Sequence, residues 1–241
     1  MEQPPNKSLK IKFLMKIAII LAKSFSKRIP NKNFMKFHGK PMINWTIQAA
    51  KKSKVFDKII ITTDSDKIIK KLNGHNLDFI KRPKELNKEK YGIDEIMKYC
   101  LSTIDEKIDY ACCLFPCAPL MAHADIKKGF LKIKSNKYKY VFAASNFSHP
   151  VERSFKLNNG KIKMISEKFF NMSSKLFTET YHDVGYFYWA KASTWNNQFL
   201  SYSSKSSFIK IPNWRAQDLD TYDDLKKIDL IFKSLQKHKR L

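Results

Sequence analysis

The sequence predicts an α/β protein with a mostly parallel sheet covered by helices. Three observations lead there. Short β-branched apolar runs alternate with amphipathic stretches along the first 145 residues. The first run, residues 17–22, is continuously apolar, as a strand buried on both faces should be. At 241 residues with 43% hydrophobic and 13% aromatic content, the chain can bury one large core.

The elements follow in order. Residues 17–22 form the first strand, and a polar loop runs from Lys23 to Lys40. Pro41 suits the first turn of a helix, behind which Met42, Ile43, Ile47 and Ala50 recur at helical spacing. Residues 58–63 read as the second strand. Asp64 and Ser65 then suit a helix cap ahead of Ile68, Ile69 and Leu72. A short strand at 77–80 precedes a helix marked by Ile93, Ile96, Met97, Leu101 and Ile104. Residues 110–115 form a strand stopped by Pro116 and Pro119, followed by a helix at 124–134 and a strand at 140–144.

Beyond residue 146 the rhythm changes. Asn158-Asn159-Gly160 between apolar runs predicts a hairpin. Phe169, Phe170, Phe177 and Tyr181 add aromatics without a period, and residues 184–190 are a strong strand. A strand at 208–211 and a helix carrying Leu225, Ile228, Ile231 and Leu235 close the chain. The expected organisation is an extension at 1–14, one domain at 15–236 with an inserted subdomain at 147–183, and a basic tail at 237–241.

The formal charge is +24, from 46 Lys+Arg against 22 Asp+Glu. It raises a nucleic-acid-binding reading. Against that, only Arg28, Arg82, Arg153, Arg215 and Arg240 are arginines, and the lysines are spread over the whole chain. Arginine is the residue of bidentate phosphate and base contacts. A lysine-rich surface and no nucleic-acid partner is the expectation. No apolar run approaches the roughly 18 residues of a membrane span, so no membrane association is expected either. Lys16 interrupts the apolar stretch at 13–22, which argues for a buried strand over a secretory signal. Cys100, Cys112, Cys113 and Cys117 match neither a CxxC nor a zinc spacing, and the neighbouring Cys112 and Cys113 should face opposite sides of a strand. Buried, reduced thiols and a cytoplasmic location are expected.

Parallel sheets bind ligands beyond the carboxyl ends of their strands. The segments to search are therefore 22–33, 63–64, 115–120 and the loops near them, and two constellations in the chain could carry the chemistry. Residues 22–33 carry Lys23, Lys27, Arg28 and Lys32 with Ser24 and Ser26 directly after the first strand, enough cationic charge to face a polyphosphate. The segment lacks the Walker pattern, and a solvated basic loop is the plain alternative. Asp218-Leu219-Asp220 places two carboxylates on one face of an extended segment, about 6–7 Å apart at the backbone. That suits a magnesium ion shared with phosphate oxygens. Equally, Asp220 suits the cap of the following helix.

Several motifs in order carry a family resemblance. Ser26-Lys27-Arg28-Ile29-Pro30-x-Lys32-Asn33 and Gly39-Lys40-Pro41-Met42-Ile43 are followed by Ala49-Ala50, Phe56-Asp57 and Ile61-Thr62-Thr63-Asp64. Then come Arg82-Pro83-x-Glu85-Leu86, Pro116-x-Ala118-Pro119 and Gln217-Asp218-Leu219-Asp220-Thr221. Together they resemble the acylneuraminate (sialic-acid-type) cytidylyltransferases over roughly residues 16–236. The string from Tyr181 to Trp189, with Arg153-x-Phe155-Lys156-Leu157, looks like the branch that activates pseudaminic acid.

The resemblance implies a Rossmann-like sheet of the nucleotide-diphospho-sugar transferase type and a homodimer built through the insertion. Its substrates would be CTP and a nonulosonic acid, and its metal Mg2+, held by Asp218 and Asp220. Lys32, Asp218 and Asp220 are the implied catalytic residues. Ala22, Lys23, Ser26, Lys27, Asn33, Arg82, Tyr91 and Gly92 would bind the nucleotide. His182, Asp183, Tyr188, Arg153 and Lys156 would bind the sugar. One departure stands out: the family has Arg-x-Gly-Ser or Arg-Gly-Gly-Ser in the first loop, where this chain has Lys23-Ser24-Phe25-Ser26. Lysine lacks the planar fork of arginine, and Phe25 puts bulk where glycine gives freedom. That departure makes a degenerate sugar- or nucleotide-binding homologue one alternative, and a synthetase for neuraminic or legionaminic acid is another.

Overall fold

The computed structural model of the protein describes residues 13–74, 76–88, 90–196 and 202–237. Most of the expected extension at 1–14 and tail at 237–241 lies outside them. Strand β1 (Lys16–Leu21) leads through a basic loop to a two-strand ladder, β2 (Lys36–Phe37) and β3 (Lys40–Pro41), and to helix α1 (Met42–Ser53). Next come β4 (Lys58–Thr63), α2 (Asp66–Leu72), β5 (Asp78–Lys81), α3 (Ile93–Ser102), β6 (Tyr110–Leu114), α4 (His123–Lys134) and β7 (Tyr140–Asn146). The hairpin β8 (Phe155–Asn158) and β9 (Lys161–Met164) follows. The chain returns through β10 (Tyr181–Lys191), α5 (Ala192–Trp195), β11 (Ser206–Lys210) and α6 (Tyr222–Lys237).

Among the described residues, seven strands form one sheet in the order β11-β7-β10-β6-β1-β4-β5. All run parallel except β10, which lies antiparallel between β6 and β7. The mostly parallel sheet expected from the sequence is therefore present. The period of two along each strand divides the core. Ala18, Ile20 and Ala22 face α1, α2, α4 and α6, whereas Ile17, Ile19 and Leu21 face α3 and α5. Cys112 and Cys113 fall on opposite faces, as their adjacency requires, and all four thiols are free and buried.

The segment between β7 and β10 is an excursion, because these two strands pair directly. Its hairpin turns at Asn159 (φ 49°) and Gly160 (φ 75°), the left-handed pair a two-residue loop needs. Tyr181, His182 and Asp183 already pair with Asn146, Ser145 and Ala144. Strand β10 thus begins at Tyr181, inside the span expected for the inserted subdomain. Helix α6 is capped by Thr221 and Asp224: the Thr221 N–H donates to Asp224 Oδ2 at 2.8 Å and the Asp224 N–H donates to Thr221 Oγ1 at 3.2 Å. Asp220 is not needed as the cap. No helix among the described residues is long and apolar enough to cross a membrane.

Candidate active site

The carboxyl ends of β1, β4, β5 and β6 open into a cleft of about 1210 Å³. Lys23, Ser24, Ser26, Arg28, Lys32 and Asn33 line it from the β1 loop, and Asp64, Arg82, Tyr91, Phe115, Asp218 and Asp220 from the other segments. This is where a parallel sheet leaves unpaired strand ends and room for a ligand.

The β1 loop is tied down by its own polar groups. Asn33 is buried, and its Nδ2 donates to the Lys23 carbonyl at 2.8 Å. The Cys117 thiol donates to Asn33 Oδ1 at 3.2 Å, and burial pushes that thiol up to about 12, so it stays protonated. Ser24 reaches Asp64 twice, from its N–H (2.8 Å to Oδ1) and its hydroxyl (2.5 Å to Oδ2). Burial works against the Asp64 charge, but the Ser24 and Asn87 hydrogen bonds outweigh it and hold the carboxyl below its ordinary range. Phe25 is 66% exposed and is not among the residues lining the cleft. The bulk of Phe25 therefore lies outside the cleft.

Across the cleft, Leu219 is fully buried and anchors the segment that carries Asp218 and Asp220. Lys32 Nζ donates to the Leu219 carbonyl at 2.5 Å and lies 3.5 Å from Asp220 Oδ1, while Arg28 pairs with the same oxygen at 2.7 Å. Asp218 opens to the cleft but is closely surrounded by protein. That crowding, with the like charge of Asp220, raises its carboxyl above the usual range. Gly185 explains how the carboxylate fits. It sits at φ +66° in the irregular stretch of β10, and a Cβ there would lie 3.1 Å from Asp218 Oδ2.

Among the described residues no group of three or more His, Cys, Asp or Glu side chains gathers to hold a metal. Magnesium does not need one, since it is commonly bound by one or two carboxylates together with substrate phosphates and water. The mutual repulsion of Asp218 and Asp220 is relieved by a divalent cation, so the donor set fits the group.

Arg82, 3% exposed, spans the β4–β5 end of the cleft. Its Nη1 donates to the Thr62 carbonyl at 2.6 Å, and its Nε and Nη2 donate to Asn87 Oδ1 at 3.2 and 2.8 Å. Tyr91 lies beside it in the lining, whereas the Gly92 N–H donates to Glu95 at 2.9 Å and caps α3. Ala22 is a buried strand end whose N–H is used by the Thr62 carbonyl. Lys27 is exposed and outside the lining.

The sugar-side candidates divide. The Tyr188 hydroxyl lies 2.8 Å from that of Tyr202, and burial, then the nearby Asp183 charge, raises the Tyr188 phenol; the Asp183 charge also acts on Asp218. The His182 Nδ1 donates to the Asp183 carbonyl at 2.8 Å, and its ring packs on Phe147. Arg153 and Lys156 lie on the excursion, exposed and outside the cleft lining. Sequence reasoning pointed to the segment at 63–64 without giving Asp64 a role, and it missed Asn87. Of the two residues expected at the start of α2, Ser65 takes the cap position and the Asp64 carboxylate turns to Ser24. A carboxylate at the carboxyl end of a buried parallel strand was the available signal.

A family model described as cytidylyltransferase matches residues 17–228. The pseudaminic acid cytidylyltransferase of Campylobacter jejuni is 31% identical over 223 residues, covering 90% of this chain and 96% of that protein. A Helicobacter pylori protein, named pseudaminic acid cytidylyltransferase and UDP-2,4-diacetamido-2,4,6-trideoxy-beta-L-altropyranose hydrolase, is 34% identical over 206 residues. That match covers 84% of this chain and 40% of the longer protein. Among solved structures, a CMP-2-keto-3-deoxy-manno-octonic acid synthetase complexed with CTP aligns with a TM-score of 0.67 at 13% identity. It covers 91% of this chain and 99% of that one.

Proposed function

This chain belongs to the cytidylyltransferase family and is a nucleotidyltransferase, and on that footing we propose that it activates a nonulosonic acid with CTP, releasing the CMP-sugar and pyrophosphate. The sugar it favours is pseudaminic acid. The observation that carries the reading is the convergence of the β1 loop cations on the Asp218–Asp220 segment, through Lys32 and Arg28.

In this reading Lys23, Ser26 and Lys32 hold the triphosphate, with Lys27 at the outer edge. Asn33 holds the loop in shape from beneath. Arg82 and Tyr91 take the cytosine, with Gly92 shaping the turn behind them. The anomeric hydroxyl oxygen of the sugar attacks the α-phosphorus, the bond to the β-phosphate oxygen breaks, and pyrophosphate leaves as the hydroxyl proton is lost. Most of the catalytic work is positioning and charge neutralisation, for which Lys32 stands beside both the phosphates and the carboxylates. Asp218 and Asp220 hold Mg2+, which when bound neutralises phosphate charge. Asp183, Tyr188 and His182 face the sugar.

The excursion supports a homodimer. Phe155, Leu157 and Ile162 lie on one face of the hairpin, paired Phe155 to Met164 and Leu157 to Ile162, and are largely exposed. A second copy would cover them, bringing Arg153 and Lys156 towards the sugar carboxylate of a neighbouring site. The four reduced thiols support a cytoplasmic location.

Pyrophosphate release with CTP tests the reading across pseudaminic, legionaminic and N-acetylneuraminic acids and ketodeoxyoctonate. Pseudaminic acid should give the highest kcat/KM. CTP binding by calorimetry without pyrophosphate from any of the sugars would instead make the chain a binding homologue.

A further inference from the structure

Two cations of the β1 loop meet one carboxylate oxygen across the cleft, and they are held differently. The Lys32 side chain is 19% exposed, and its Nζ donates to the carbonyl of the fully buried Leu219 at 2.5 Å. It stands 3.5 Å from Asp220 Oδ1. Arg28 reaches the same oxygen from Nη2 at 2.7 Å, with its side chain 65% exposed. Lys32 is thus anchored to a buried stretch of backbone, whereas Arg28 spans the cleft on a long side chain that lies largely in water. Both line the cleft together with Asp218 and Asp220. The nucleotide reading gives Lys32 a place on the triphosphate and leaves Arg28 without one.

The oxygen that Arg28 holds belongs to one of the two carboxylates that fit a divalent cation. A guanidinium and a divalent cation on one carboxylate stand within about 5 Å of each other, and there like charges repel by more than thermal energy even in a well-solvated cleft. A cation arriving by itself must therefore work against Arg28. A triphosphate changes the balance, because it brings about four negative charges and arginine pairs with phosphate oxygens through its planar fork. Arg28 can exchange one anionic partner for a stronger one, and Asp220 is then released.

We propose that Arg28 is a displaceable counter-ion of Asp220, which opposes a divalent cation at the Asp218–Asp220 segment until the phosphates of the nucleotide draw the guanidinium away, so that metal and nucleotide bind cooperatively. Linkage makes the coupling reciprocal: the metal strengthens nucleotide binding by the factor that the nucleotide strengthens metal binding. The inference rests on the nucleotide reading above, and its test keeps the two apart.

Manganese(II) is the probe, since the unbound ion can be counted by electron paramagnetic resonance. Three affinities are measured without sugar, so that nothing turns over: Mn2+ alone, CTP alone in EDTA, and the preformed Mn–CTP complex. The parent is compared with Arg28→Ala, Arg28→Lys and Lys23→Ala. Lys23→Ala removes the same charge from the same loop at a residue assigned to the triphosphate, and so controls for net charge. Arg28 is exposed, and its variants should keep the parent melting temperature to within a few degrees.

Arg28→Ala should bind Mn2+ alone about three- to fivefold more tightly than the parent, the size of one partly exposed ion pair. It should bind Mn–CTP about tenfold more weakly, the size of one charge-assisted hydrogen bond, and CTP alone should weaken too. Arg28→Lys keeps the charge and loses the fork, so Mn2+ alone should stay within about twofold of the parent while Mn–CTP weakens. Lys23→Ala should weaken CTP and leave Mn2+ alone nearly unchanged. If Arg28→Ala keeps the parent affinity for Mn2+, or gains no more than Lys23→Ala, Arg28 does not oppose the cation and the proposal is wrong, while the nucleotide site stands. Tighter Mn2+ with unchanged Mn–CTP binding would show that Arg28 does not move to the phosphates, and overturns it equally. A parent protein that binds neither CTP nor Mn–CTP removes the nucleotide reading itself, and the inference with it.

Discussion

Asp220 carries two roles that compete. In the protein alone its carboxylate is taken up by Arg28 and Lys32, whereas in the proposed reaction it faces a cation and phosphates. Its ion pairs are partly exposed and contribute little to stability. Asp220→Ala should therefore abolish magnesium-dependent pyrophosphate release while the melting curve stays within a few degrees of the parent. Activity that persists in this variant with EDTA present would remove Asp220 from the mechanism. The thiols make a different prediction. All four are buried, and burial raises every one, Cys117 to about 12. A disulfide reagent at pH 8 should titrate almost none in the native protein and four in denaturant. Fast reaction of even one native thiol would contradict that burial.

Two glycines show what the elements contribute. Gly129 lies on the face of α4 against the sheet, where a Cβ would come within 2.8 Å of Phe187 and Trp189. Gly129→Ala should cost about 1–3 kcal/mol of stability through overpacking and leave KM for CTP unchanged. Gly185 lies in the irregular part of β10, where φ is +66° and Asp218 is 3.1 Å from a would-be Cβ. Gly185→Ala adds a backbone penalty of about 1–2 kcal/mol and also displaces the carboxylate. The magnesium concentration for half-maximal activity should rise in that variant and not in Gly129→Ala. Equal shifts in both would show that the effect is general destabilisation. The irregularity in β10 is thus a device that lets a strand pass beneath a site carboxylate.

The whole molecule joins a cationic cleft to an apolar hairpin. In the proposed dimer a second copy covers the exposed Phe155, Leu157 and Ile162 face, and Leu157→Asp with Ile162→Asp should convert that dimer into a monomer by light scattering. A parent protein that is already monomeric would dispose of the dimer. The +24 charge acts at longer range. Lys67, Lys71, Lys81, Lys84 and Lys88 rim the cleft beyond the residues assigned to the triphosphate. They set a positive field for anionic substrates, so kcat/KM for CTP should fall as salt rises from 20 to about 200 mM, with kcat changing less. A flat salt dependence would confine the charge to solubility.

The order of strands and helices was legible in the chain because it depends on local periodicity. Continuous β-branched runs became parallel strands, Asn159-Gly160 became a hairpin, and the spacing of Ile228 and Leu235 became the buried face of α6. Ordered motifs likewise marked the loop at 22–33 and the Asp218-Leu219-Asp220 segment. Long-range contact resolved what spacing left open. Ser65 takes the cap of α2, and the Asp64 carboxylate reaches a serine 40 residues away. Phe25 turned outward, and β10 slid between β6 and β7 against the direction of the rest. A hydrogen-bond donor has no sequence address for its acceptor, and only folding brings Ser24 to Asp64 and the Thr62 carbonyl to Arg82.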